Sequence, residues 1–119
     1  MFRKRIESFG YAFKGLATLF SSQPNARIHA VALAVAVSFG FYFKIEKTEW
    51  LAITLIAALV LSAEAMNTAV EFVVDLVSPD YHPLAGKAKD VAAAAVLLAA
   101  FGAIIVGLII FLPKIADLI

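Results

Sequence analysis

Residues 50–77 read WLAITLIAALVLSAEAMNTAVEFVVDLV, and the fold turns on this stretch. Its first half is an apolar run of the kind that crosses a bilayer as a helix, for which about 20 residues suffice. Yet Glu64, Asn67, Glu71 and Asp75 lie inside it, at spacings of three, four and four residues. At about 100° per residue those spacings put all four on one narrow stripe of a helix. A carboxylate in hydrocarbon costs at least ~2.5–3.5 kcal/mol. Three on one face exceed what a membrane anchor needs, so the stripe has to meet a cation, water, a partner helix or a substrate.

The rest of the chain fits a membrane protein. Of its 119 residues 63% are hydrophobic, and the mean hydropathy of +0.94 is far above that of a soluble domain. Apolar windows predict three transmembrane helices, at about 27–43, 50–77 and 90–112, within a single domain spanning 1–119. There is no cysteine, which excludes disulfides and thiolate chemistry. A net charge of +1 is too balanced for a nucleic-acid binder. The basic N-terminal region is amphipathic and has no small-residue cleavage site after an apolar core, so it does not read as a signal peptide. Three helices of one small chain enclose little, and a homo-oligomer is expected.

Charge sets the expected orientation. Arg3, Lys4, Arg5, Lys14, Arg27, Lys87 and Lys89 fall on one side of the three spans, and Lys44, Lys47 and Lys114 on the other. The richer side is cytoplasmic by the positive-inside rule, which puts the N-terminus and the second loop inside and Trp50 at the outer interface. Phe2, Ile6, Phe9, Phe13, Leu16 and Phe20 follow one another at spacings of four and three, the stripe of an amphipathic helix over about 2–20. Such a helix lies on the membrane surface or packs on the protein's own spans. Residues 21–25, with Pro24, form a turn. Residues 78–86 hold Pro79, Pro83 and Gly86 and form an inner loop, after which the third helix opens with Lys87, Lys89 and Asp90.

Depth separates the polar residues. Glu64 to Asp75 is ~16 Å of helix, so Asp75 lies near the cytoplasmic interface and Glu64 deeper. On the same side, Lys89, the amides of the third helix's N-terminus and Gly86, which admits close backbone approach, suit phosphate. Carboxylates beside phosphates suit Mg²⁺. The combination points to phosphoryl transfer at the membrane surface, without a Walker A motif or a kinase Gly-rich loop. The competing reading is a non-enzymatic proton or cation relay built on the intramembrane carboxylates, for which a phosphate site has no use.

Glu64-Ala-Met-Asn-Thr-Ala-Val-Glu71-Phe-Val-Val-Asp75, then His82-Pro-Leu-Ala-Gly-Lys-Ala-Lys-Asp90, and before both Gly10-Tyr-Ala-Phe-Lys-Gly-Leu16, resemble the signature of the small prokaryotic diacylglycerol kinase and undecaprenol kinase family. The three blocks stand in the family's order and the resemblance covers essentially the whole chain. It implies a homotrimeric all-α bundle in the bacterial inner membrane, each subunit a surface helix plus three spans, with active sites shared between subunits. It also implies transfer of the γ-phosphoryl group of ATP, with Mg²⁺, to the hydroxyl of diacylglycerol or undecaprenol.

The resemblance implies roles residue by residue. Glu64 would be the general base, and Asn67 would orient that carboxylate or the attacking oxygen. Glu71 would bind Mg²⁺, Lys89 the ATP phosphates, and Asp90 would belong to the nucleotide site. Tyr11, Asp80, Tyr81, His82 and Gly86 fall where the family contacts the nucleotide, and Asp75 supports the motif. Many members carry a second metal-binding glutamate where this chain has Gln23, which offers a carbonyl oxygen but no charge. The stretches Arg27-Ile28-His29 and His82-Pro83-Leu84 look more like the undecaprenol-kinase branch.

Overall fold

Pro24 decides the first boundary. The residue before a proline is pushed out of the helical region, while proline itself suits the first position of a helix. In the computed structural model, which describes residues 1–119, Gln23 alone is extended, at φ −115° and ψ 108°. Helix α1 (Phe2–Ser22) ends against it and α2 (Pro24–Phe43) begins after it. The turn expected over 21–25 is thus a one-residue joint.

Lys44 closes α2 in the left-handed conformation, at φ 52°. The amide of Ile45 then reaches back to the carbonyl of Gly40, at 3.1 Å. Glu46 and Glu49 form a reciprocal capping box that opens α3 (Lys47–Val77). After residues 78–82 the chain enters α4 (Pro83–Ala116). Here the onset differs from the sequence reading by about two turns. His82 accepts the amide of Leu84 on Nδ1 at 3.1 Å, and Pro83 occupies the first helical position. Residues 83–86, expected in the loop, are therefore inside the helix, and Lys87, Lys89 and Asp90 follow in its second and third turns. Pro113 removes one rung near the end of α4, where the ladder is about to stop, and the helix runs on to Ala116.

All the regular structure is helical, and α2, α3 and α4 are each long and apolar enough to cross a membrane. They alternate in direction, so the start of α2, the end of α3 and the start of α4 share one end of the bundle. The opposite end is packed. Ile45, Ile53, Ile110 and Phe111 form a buried cluster against Leu33, Phe43 and Trp50. Trp50 lies over Gly40 so closely that a Cβ there would sit 2.5 Å from its ring. It also stacks on Phe41 with centroids 4.9 Å apart. Lys114 donates to Glu49 across that end, at 2.9 Å.

Only 12 of 119 residues are buried, so the apolar flanks of the three spans face outward, where lipid or further subunits have to cover them. On α1 only the last turn is buried, through Leu19. Phe2, Ile6, Phe9, Phe13 and Leu16 remain exposed.

Candidate active site

The polar stripe of α3 lies where the bundle opens. Glu64 is 1% exposed, Asn67 8% and Thr68 4%, and they are the only buried polar or charged side chains in the chain. Glu71, one turn beyond Asn67, is half-buried, and Asp75 is exposed. The stripe thus grades from interior to surface within three turns.

The hydrogen bonds divide it. Asn67 donates its amide to Oε1 of Glu71 at 3.2 Å, not to Glu64. Of the two roles expected for Asn67, orienting the Glu64 carboxylate or the attacking oxygen, the first has no direct hydrogen bond behind it in the single chain. The reason is helical geometry: at i, i+4 the amide reaches the next acid along the same face. The Thr68 hydroxyl donates to the backbone carbonyl of Glu64 at 2.9 Å, leaving the carboxylate alone. Oε2 of Glu64 and Oδ1 of Asn67 are buried without a hydrogen-bond partner. Two orphaned acceptors side by side are unusual, since buried polar atoms are nearly always paired.

His29 on α2 faces Glu64, with Nε2 3.9 Å from Oε2. The sequence reading gave this histidine no role in the site. Counting from the α2–α3 turn would have found it: 14 residues back along α2 is ~21 Å, and 17 residues forward along α3 is ~26 Å, so the two side chains share a depth. His29 is also the one polar side chain lining an apolar cavity of about 280 Å³ between the three spans, which runs toward Ile53 and Phe111.

At the open end Lys89 donates to Oδ1 of Asp75 at 2.6 Å, joining α4 to α3 across the loop. Both partners are exposed, at 42% and 63%. This gives Asp75 a definite contact, which its spacing alone did not. Glu71 adds its charge to the surroundings of Lys89. Asp90 is exposed and unpaired beside it. Tyr81 is 89% exposed, and Asp80 only accepts the Ser78 hydroxyl on its carbonyl. His82 is the helix cap already described. Gly86 lies in the first turn of α4, where within the chain a Cβ would meet nothing nearer than Tyr81 at 3.9 Å. Tyr11 is exposed on α1, with the Lys14 ammonium 5.8 Å from its ring centre. Gln23 sits in the α1–α2 joint, where its side chain faces only the Ser22 hydroxyl, at 3.5 Å.

The donor set discriminates between kinds of metal site. Within the single chain no group of three His, Cys, Asp or Glu side chains is gathered. Glu71 keeps one carboxylate oxygen free of hydrogen bonds, and Asn67, which holds the other, has its own Oδ1 unpaired. One carboxylate with neighbouring hard oxygens is what Mg²⁺ takes when substrate phosphates complete its shell. The residues fit a metal–nucleotide.

Residues 10–111 match the family model described as prokaryotic diacylglycerol kinase. The chain is 39% identical over 109 residues to the undecaprenol kinase of Bacillus subtilis, covering 92% of this chain and 89% of that protein. It is 42% identical over 114 residues to the diacylglycerol kinase of a Synechocystis species, covering 95% of this chain and 65% of that longer protein. Identity to the diacylglycerol kinase of Escherichia coli K12 is 34% over 104 residues, or 87% of this chain and 85% of the relative. A helical bundle with a graded acidic stripe, matched over nearly its full length by kinases of one kind, has one placement: the chain belongs to the prokaryotic diacylglycerol kinase family.

Proposed function

We infer that the protein is an integral membrane phosphotransferase that moves the γ-phosphoryl group of Mg–ATP onto the hydroxyl of a membrane lipid alcohol, diacylglycerol or undecaprenol. The observation that carries this reading is the grading of one helix face, from a buried, unpartnered Glu64 through Glu71 to the exposed Asp75–Lys89 pair. A lipid hydroxyl approaches from the membrane and a nucleotide from water, and the stripe spans both.

In this mechanism the Glu64 carboxylate accepts the proton of the attacking hydroxyl. A loose transition state asks for little covalent help, so positioning and charge neutralisation carry most of the rate. Burial excludes water from the attacking oxygen. Lys89, held by Asp75, faces the departing phosphates, and Asp90, Asp80, Tyr81, His82 and Tyr11 line the nucleotide side. Glu71 would hold Mg²⁺, which would supply charge neutralisation for the ATP phosphates. Asn67 fixes the Glu71 carboxylate, and Gln23 contributes at most a neutral oxygen to a second ion. The apolar cavity beside His29 gives the acceptor's hydrocarbon a place next to Glu64.

The orientation is N-terminus and site cytoplasmic, with α1 resting its exposed phenylalanine stripe on the inner surface of the bacterial membrane. Three subunits assemble and share sites; the exposed Ala93, Ala94 and Ala95 of α4 permit close helix contact.

Purified protein in bilayers, given radiolabelled ATP and each lipid in turn, tests the reading. Label is expected in the lipid fraction and only with Mg²⁺ present. Phosphorylation of neither lipid would sink the kinase reading and leave the ion-relay alternative. The ratio of the two rates assigns the acceptor, and the undecaprenol-like Arg27-Ile28-His29 stretch favours the polyprenol.

A further inference from the structure

A base that takes a proton in every turnover has to lose it again. Glu64, at 1% exposure, is shut off from bulk water. Its polar neighbours are committed elsewhere. Asn67 is bound to Glu71, Thr68 to a backbone carbonyl, and Lys89 to Asp75. His29 is what remains. Its Nε2 lies 3.9 Å from the orphaned Oε2, and its side chain is 23% exposed, so it borders both the buried acid and the outside. That separation is too long for a hydrogen bond, but one water or hydroxyl bridges it with two bonds of ~2.8 Å.

We propose that His29 is the proton outlet of Glu64. The proposal rests on Glu64 being the base. As the acceptor oxygen bonds to the γ-phosphorus, the bond from phosphorus to the bridging oxygen breaks and its electron pair leaves on ADP. The acceptor's O–H proton passes to the Glu64 carboxylate. The resulting carboxylic acid gives it to Nε2 of neutral His29, directly after a small ring rotation or through the bridging oxygen. The imidazolium releases it to water. Carboxylate and neutral imidazole are both restored, and the net products are the phosphorylated lipid, ADP and one proton.

Imidazole suits the task because its charge changes within the physiological pH range. The charged groups around the pair are Glu71 and Asp75 on α3, Arg27 on α2, and Lys89 and Asp90 on α4. Glu71 acts on Glu64 through its charge, while Asp75 and Lys89 neutralise each other. The ion-pair partner of His29 within the chain is Glu64.

The test uses the full chain in bilayers with saturating Mg–ATP and the accepted lipid. His29→Ala is expected to lower kcat by about 10-fold or more, with KM for ATP little changed, and added imidazole should recover part of the loss. His29→Gln keeps a polar side chain of similar reach but cannot carry the proton, and it should stay slow. Wild-type kcat in either variant overturns the outlet, as does an Ala variant that imidazole leaves unchanged. Recovery by Gln alone would make His29 a positioning residue. A wild-type protein inactive on both lipids is a separate failure, that of the kinase reading itself.

Discussion

Both ends of the bundle set a lysine on an acid, and they do so differently. At the packed end Lys114 and Glu49 are 29% and 21% exposed, and the lysine also donates to the carbonyl of Ile110 at 3.3 Å. Gly40, Trp50 and the isoleucine cluster close around them. At the open end Lys89 and Asp75 stand in solvent, and the buried acid behind them has an oxygen with no partner. One end is satisfied and holds helices together. The other is under-satisfied, with two buried oxygens that nothing in the chain hydrogen-bonds. Unpaired polarity at one end of an otherwise well-matched fold is where a site belongs.

The contrast can be broken most severely at Glu64. Glu64→Gln is expected to lower lipid phosphorylation by 10²-fold or more, in the range of a lost general base, while nucleotide binding persists. Near-normal turnover would remove Glu64 from the base role. Glu71→Ala should come next, raising the Mg²⁺ concentration needed for half-maximal rate by about 10–100-fold. An unchanged Mg²⁺ titration contradicts its ligand role.

The two ion pairs then make a matched experiment. Asp75→Asn should raise KM for ATP several-fold and leave the thermal midpoint alone, because it frees Lys89. Glu49→Gln should lower the thermal midpoint and leave KM alone. Equal behaviour of the two variants would erase the distinction between the ends. Gly40→Ala should cost about 1–3 kcal/mol of stability through its clash with Trp50, with kcat of the folded fraction unchanged. The smallest effect is expected from Gln23→Glu, a modest fall in the Mg²⁺ requirement. No change would take Gln23 out of the metal site.

Local pattern carried the helices and the acidic stripe, because periodicity and proline position are properties of neighbouring residues. Pro24 and the run from Trp50 to Val77 were legible for that reason. The onset of α4 at Pro83 was misjudged because Pro83 and Gly86 were weighed as helix breakers, whereas a proline at the first helical position after a capping His82 starts a helix. The pairings that define the site cross between helices. His29 on Glu64 and Lys89 on Asp75 depend on how α2 and α4 dock against α3, which no window on one helix reports. The close fit of Gly40 under Trp50 was invisible in the same way. Position on the stripe also left open which of two flanking carboxylates the Asn67 amide reaches, and the structure pairs it with Glu71.

Helix α3 is longer than a bilayer is thick. Its 31 residues extend ~46 Å, against ~30 Å of hydrocarbon. Measured from Trp50, the hydrocarbon runs out near residue 70, so Glu64 is submerged while Glu71 and Asp75 stand clear. The helix is a depth gauge, and its markings are the acids. The proposed mechanism, with Trp50 at the outer interface, requires the waterline to fall between Glu64 and Glu71. Bilayers of longer-chain lipids should raise that line and drown the metal ligand, and shorter-chain lipids should lower it and wet the base, so activity should peak at one membrane thickness.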